Sequence, residues 1–226
     1  MSGIQGSAFR VILLAATIST LLAACSYSSD IKNLRKQAEA GNADAQFALG
    51  VMYANGQGVR QDYAEAVKWF RKAAEQGEST SRYNLGVSYY TGRGVAQDSA
   101  EAARWFRKAA DQGNAEAQSA LGSMYDDGQG VRQDYAEAAK WYRKAAMQGN
   151  KNAQFALGSM YAAGQGVTQD FMQSYLWSSL AASRASGDES RQASDLRDMA
   201  AKKLTPEELV EAQRMTREWE KSHQKK

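Results

Sequence analysis

Reactive side chains are scarce in this chain, whose 226 residues include one Cys, one His and one Pro. A single thiol cannot close an internal disulfide. No Cys–His pair is available to activate a nucleophile, and metal-ligand spacing is absent. His223, the lone imidazole, sits in a polar tail beside Lys221, Lys225 and Lys226, which reads as a frayed end. Charge of one sign is lacking too: 28 Lys and Arg stand against 25 Asp and Glu, a surplus of +3. No basic run alternates with aromatics, so a nucleic-acid groove is not expected. These shortages argue against an enzyme and against any cofactor or metal.

Long hydrophobic runs are equally rare. The one apolar stretch, Val11 to Ala24, reads VILLAATISTLLAA and follows Arg10. It is shorter than the roughly 20 residues a membrane-spanning helix needs, and it has the length of a signal-peptide hydrophobic region. It ends in Leu22-Ala23-Ala24-Cys25, which resembles a bacterial lipoprotein box. The resemblance implies that residues 1–24 are a lipoprotein signal peptide and that Cys25 becomes a lipidated first mature residue. Ser26, not Asp, follows the Cys, as in lipoproteins destined for the outer membrane. Each buried methylene of an acyl chain contributes about 0.8 kcal/mol, so two or three chains anchor a protein stably. The expected location is the bacterial envelope, lipid-anchored on the periplasmic side of the outer membrane. The bland alternative is an ordinary signal peptide, or a buried helix with an incidental Cys.

What the chain has in abundance is repetition. The segment GQGVRQDYAEAVKWFRKAAEQG, starting at Gly56, returns nearly intact 36 residues later and again after that. Gly41, Gly77, Gly113 and Gly149 fall in register, as do Asp62, Asp98, Asp134 and Asp170. A fixed period of this size means stacked units whose apolar faces only neighbours can cover. Four copies are expected, at 41–76, 77–112, 113–148 and 149–184.

Each copy specifies two helices. Helix A of the first runs from about Ala43 to Asn55, with Ala45, Ala48, Leu49, Met52 and Tyr53 on one stripe. A Gly-Gln-Gly-Val turn follows. Asp62-Tyr-Ala-Glu65 has the form of a capping box opening helix B, whose inner stripe is Tyr63, Ala66, Phe70, Ala73 and Ala74. Gly77 closes it as a left-handed C′ residue. Trp69, Trp105, Trp141 and Trp177 supply bulk at a fixed height.

The pattern A-LG-MY-G-GV-D-A-WY-KAA-QG resembles the Sel-like repeat (SLR) family, a relative of the tetratricopeptide repeat, from Gly41 to about Arg184. The resemblance implies an all-α, right-handed superhelical solenoid of antiparallel helix pairs. It also implies an adaptor role in membrane-associated or signalling complexes. A secreted, cysteine-rich branch of the family is linked to β-lactam binding, but the repeats here carry no Cys.

The ends differ from the middle. Leu34-Arg-Lys-Gln-Ala-Glu-Ala-Gly41 aligns with Phe70 to Gly77, so residues 25–40 read as a short tether and a capping helix. In the last repeat Leu176, Ser179 and Leu180 replace Lys68, Arg71 and Lys72, so something must cover that face. The expected cover is residues 185–226: one helix from about Glu189 to Lys203 with Ala193, Leu196, Met199 and Ala200 inward, and a second opened by Thr205-Pro-Glu-Glu208.

A binding surface is expected opposite the stripe of helix A, where Phe47, Tyr83 and Phe155 recur at repeat spacing with Val87 beside them. Exposed aromatics in a concavity serve as anchors; the competing account is that they fill gaps between repeats. Repeat two departs from its siblings at Arg82 and Asn84, where specificity is expected. A basic column, Lys68/Arg71/Lys72 and its equivalents, reads either as a site for acidic headgroups or as a solvated helix face. The function expected is that of a monomeric, non-enzymatic envelope scaffold binding a protein or peptide in its concave groove. The rivals are a cell-wall or β-lactam-binding protein or enzyme, and a secreted host-contact factor.

Overall fold

The computed structural model describes residues 30–223. Over that span the chain forms eleven helices and no strand. They are α1 (30–39), α2 (Ala43–Asn55), α3 (Tyr63–Glu75), α4 (Ser79–Thr91), α5 (Ser99–Ala110), α6 (Ala115–Asp127), α7 (Tyr135–Met147), α8 (Lys151–Ala163), α9 (Phe171–Arg184), α10 (Gly187–Ala201) and α11 (Pro206–His223). The fold class is all-α, built of consecutive helix pairs in the manner of an α-solenoid. Two compact units emerge, one of residues 30–81 with 93–95, the other of 82–92 with 96–223.

In the first unit, Ala38, Ala45, Leu49 and Trp69 form a buried cluster against which Leu34, Met52 and Tyr53 pack. Two contacts make α2 and α3 antiparallel. The Asp62 N–H at the start of α3 donates to the Tyr53 carbonyl near the end of α2 (2.9 Å). At the other end, Gln76 Nε2 donates to Gln46 Oε1 (2.7 Å). Helix α3 ends as expected, with Gly77 at φ 101°. The Gly77 and Glu78 N–H groups donate to the Ala74 and Ala73 carbonyls (both 3.1 Å), which is the paired pattern of a Schellman end. Gly41 and Asn42 close α1 onto Ala38 and Gln37 in the same way (both 3.1 Å), so α1 is the helix B of a half-repeat.

Two expectations require correction here. Tyr63 is not on the inner stripe but exposed; its hydroxyl accepts from Gln61 Nε2 (3.1 Å), and the Arg93 guanidinium lies 5.7 Å from its ring centre. The capping box is only half made. Asp62 Oδ1 accepts the Glu65 N–H (3.0 Å), but the Asp62 N–H is already taken by Tyr53, so the Glu65 carboxylate turns to Lys68 (2.9 Å).

The second unit repeats this construction. One cluster joins α5, α6 and α7 through Phe106, Ala109, Leu121, Met124 and Trp141. Another joins α7, α8 and α9 through Tyr142, Leu157, Met160, Trp177 and Leu180. Gln118 and Gln154, buried on helix-A positions, donate to the Ala110 and Ala146 carbonyls of the preceding helix (3.0 and 3.1 Å). Gln118 Oε1 also accepts from Gln148 Nε2 (2.8 Å), as buried amides commonly require, whereas the buried Gln154 Oε1 has no partner among the described residues.

Helix α11 covers α9 where the charges are missing. Leu176 and Leu180 are buried, and Trp219 meets Trp177 edge-on at 6.3 Å. The Thr205 capping box is complete: Glu208 Oε2 accepts the Thr205 N–H (2.8 Å) and Thr205 Oγ1 accepts the Glu208 N–H (3.2 Å). His223 is not frayed. It ends α11 and stacks on Trp219 with ring centres 3.9 Å apart. Met199 is exposed, because the buried line of α10 runs through the small residues Ala193 and Ala200.

Helix starts keep the repeat period beyond the last recognisable copy. Helices α2, α4, α6, α8 and α10 begin at residues 43, 79, 115, 151 and 187, so α10 stands in the register of a fifth helix A.

Candidate partner-binding face

Phe47, in the first unit, is half-buried, with its ring tilted 38° over Phe70 at 6.2 Å. In the second unit Tyr83 is half-buried over Phe106 at 5.7 Å and 40°. Each ring seat depends on a glycine one turn further along helix A. A Cβ on Gly50 would come within 2.7 Å of the Phe70 ring, and one on Gly86 within 2.6 Å of Phe106. The aromatics therefore pack within their own repeat and leave one edge outward.

Val87 packs with Tyr83 on the α5–α6 cluster, so these two candidates share one surface. Asn84 is half-buried between them in sequence, and its carbonyl accepts from Ser88 Oγ (2.9 Å). Arg82, also half-buried, occupies the register that Gln46, Gln118 and Gln154 use to bond the preceding helix. Phe155 stands apart from this group. Its register partner is Ser178 rather than a ring, and it lines a cavity of about 180 Å³ with residues of α9 and α10. Cys25, the expected lipidation site, lies outside the described residues.

Sequence reasoning missed an acidic pair on α6, beside Ser119 and Ser123. Ser119 and Ser123 replace the ring and valine of repeat two, and Asp126-Asp127 replaces Tyr90-Thr91. Ser123 Oγ donates to Asp127 Oδ2 (3.3 Å). Burial raises the Asp126 carboxyl above its ordinary value, and the neighbouring Asp127 charge adds to the effect. Burial also holds the Tyr142 phenol well above its usual range, reinforced by the charges of Asp126 and Asp127 and partly offset by Ser123. The Tyr83 phenol is raised first by burial and then by Glu116. Among the described residues, neither Asp126, Asp127 nor Glu116 has a basic side chain within ion-pair distance. The sequence signal was the doubled acid at a site where siblings carry Ala-Asn, Tyr-Thr and Ala-Ala.

The basic column is engaged internally. Lys68, Arg104 and Lys140 pair with Glu65, Glu101 and Glu137 (2.9, 2.9 and 3.0 Å). Lys72, Lys108 and Lys144 lie 4.2, 4.0 and 3.9 Å from the ring centres of Trp69, Trp105 and Trp141. Arg107 and Arg143 donate to the hydroxyls of Tyr125 and Tyr161. Exposed pairs of this kind add little to stability; their effect is to occupy the column's donors with neighbours. Among the described residues there is no cluster of three or more metal-ligating side chains, and no helix is long and apolar enough to cross a membrane.

The Sel1 repeat family model matches residues 43–78, 79–114, 115–150 and 151–186. Among solved structures, a Sel1 repeat protein from Oxalobacter formigenes is 39% identical over 74% of this chain and 48% of its own, with a TM-score of 0.66. A protective antigen of uropathogenic Escherichia coli displaying an SLR fold is 35% identical over 82% of this chain and 48% of its own, with a TM-score of 0.48. Cysteine rich protein B of Helicobacter pylori is 25% identical over 61% of this chain and 98% of its own, with a TM-score of 0.46. The chain thus spans about half the length of the first two of these relatives. No curated protein matches it.

Proposed function

Because this chain belongs to the Sel1 repeat family, with four repeats filling residues 43–186, we propose that it is a bacterial envelope lipoprotein that holds a protein or peptide partner on its helix-A face. Sel1 repeats generally mediate protein–protein interaction. The observation that carries the reading is the state of Tyr83. Its ring is fixed from below by Phe106 but only half covered, and a rigid aromatic with one free edge is a low-entropy anchor for a partner. Arg82, Asn84 and Val87 surround it in sequence and give this repeat its own chemistry.

The lipid anchor rests on Leu22-Ala23-Ala24-Cys25 and the apolar stretch before it. Acylation at Cys25 would hold the repeats close to the bilayer through the short tether Ser26 to Ser29. The role is that of a scaffold, without catalysis or cofactor.

In-cell photocrosslinking from position 83, followed by mass spectrometry, tests the binding face. A discrete adduct is expected there and not from Lys68, which lies on the solvated face of helix B. Equal labelling from both positions would remove the case for a specific face. Palmitate incorporation that survives Cys25→Ala would remove the anchor.

A further inference from the structure

Every repeat's helix A carries a fully buried leucine at one register position: Leu49, Leu85, Leu121 and Leu157 are all 0% exposed. Counting 36 residues on from Leu157 reaches Ala193 of α10, the helix that begins in the register of a fifth helix A. Ala193 is itself buried. The position therefore faces the interior as its siblings do, but with three carbons fewer. Beside it lies the cavity of about 180 Å³, walled by Phe155, Ala181 and Ala193. It opens to the surface between α8, α9 and α10, and its apolar wall includes the one helix-A register position that carries Ala193 instead of leucine.

We propose that this cavity is a binding site for one uncharged apolar side chain, presented by a peptide segment of the partner. The size selects the ligand. Whole small-molecule sites occupy about 300–1,000 Å³, whereas an apolar hole of about 150 Å³ accepts a benzene-sized group. A leucine, methionine or phenylalanine side chain fits that scale, and a cofactor does not.

The rim selects further. Lys151 Nζ and Glu189 Oε2 pair across α8 and α10 at 2.6 Å, so they neutralise each other and offer no net charge to an incoming ionic group. Asn152 and Gln192 also stand at the mouth. Their primary amides have no hydrogen bond among the described residues, and each combines donors with an acceptor. That combination suits the main chain of an extended peptide whose side chain enters the hole. Phe155, whose ring has Ser178 in place of an aromatic partner, supplies the flat wall. The choice of a peptide as occupant rests on the adaptor reading above.

The site is tested with N-acetyl-leucinamide and N-acetyl-lysinamide titrated into the purified protein, followed through the backbone amide signals of Phe155, Ala181 and Ala193. The leucine probe is expected to give saturable shifts in the millimolar range, and the lysine probe at least tenfold weaker ones. Ala193→Leu, which restores the repeat's own residue, is expected to abolish the response and raise Tm. If Ala193→Leu lowers Tm by overpacking, Ala193→Val serves instead, with an intermediate loss of binding. Absence of saturable shifts, equal response to both probes, or undiminished binding in the filled variants would each overturn the proposal. Saturation by the leucine probe without any adduct from position 83 in cells would uphold the cavity and count against the adaptor reading alone.

Discussion

The backbone N–H of Asp134 donates to the carbonyl of Tyr125 across 2.9 Å, while the Asp134 side chain caps α7 by accepting the Glu137 N–H at the same distance. One residue thus closes the turn from helix A and opens helix B. Asp62, Asp98 and Asp170 stand in the same relation to Tyr53, Tyr89 and Tyr161 (2.9, 2.9 and 3.0 Å). The two bonds use different atoms, so they are separable by mutation. Asp134→Ala keeps the bond to Tyr125 and loses the cap, and should lower stability by about 1 kcal/mol in urea unfolding. Asp134→Asn keeps an acceptor oxygen and should stay within a few tenths of wild type. A loss in Asn as large as in Ala would mean that charge, not the cap, stabilises this turn.

Glu78 holds the N-terminus of α4 where the other repeats use Asn42, Asn114 and Asn150. Its Oε1 accepts the Thr80 N–H (2.8 Å), and its Oε2 accepts from Ser81. Burial pushes its carboxyl upward, but the hydrogen bonds from Ser81 and Thr80 outweigh it and hold the pKa below the ordinary carboxylate value. With the folded pKa below the unfolded one, the contribution is present above the ordinary value and lost as pH falls through the folded value. Glu78→Asn should therefore narrow the drop in Tm between pH 6 and pH 3 while preserving the cap. An unchanged acid limb in Glu78→Asn would show that other carboxylates govern it.

Helix pairs were readable because their determinants recur: the aspartate caps, the apolar stripe and the closing glycine each appear at one spacing. The buried glutamines were not readable. Gln46, Gln118 and Gln154 look like surface residues in sequence, and only the carbonyls of Ala38, Ala110 and Ala146 explain their burial. Tyr63 misled for the opposite reason: it has the spacing of an inner residue, but a position at the first turn of α3 leaves it beside Gln61 and Arg93. At the candidate face, Tyr83 and Val87 were legible as neighbours one turn apart. The seat beneath Tyr83 was not, because it belongs to Phe106 in another helix. The cavity beside Ala193 was hidden for a related reason, since α10 retains the period of helix A but almost none of its residues.

Gly130 and Gly113 both hold positive φ, at 69° and 89°, yet they face different surroundings. A Cβ at Gly113 meets nothing within 4 Å, whereas one at Gly130 would lie 2.2 Å from the Ser99 carbonyl oxygen. Backbone cannot swing aside as a side chain can. Gly113→Ala should cost roughly 1–2 kcal/mol from strain alone. Gly130→Ala should cost clearly more, because the turn must also move off the start of α5. Equal losses in denaturant unfolding would show that the approach to Ser99 is not a constraint on the stack.

Tyr83 separates binding from packing. On sequence grounds, Tyr83→Ala combined with Phe47→Ala should weaken partner capture with almost no change in melting. The observed seating alters the second half of that expectation. Aromatic pairs such as Tyr83–Phe106, 5.7 Å apart, contribute about 0.5–1.5 kcal/mol beyond area burial, so Tyr83→Ala should lower Tm by a few degrees. Tyr83→Leu keeps much of the buried area and discards the ring and hydroxyl. If the free edge of the ring anchors a partner, Tyr83→Leu should lose most of the crosslinked adduct, read from position 87, while melting closer to wild type than Tyr83→Ala. If the ring only fills space, capture in the two variants should follow their Tm values, and Tyr83→Leu should retain it.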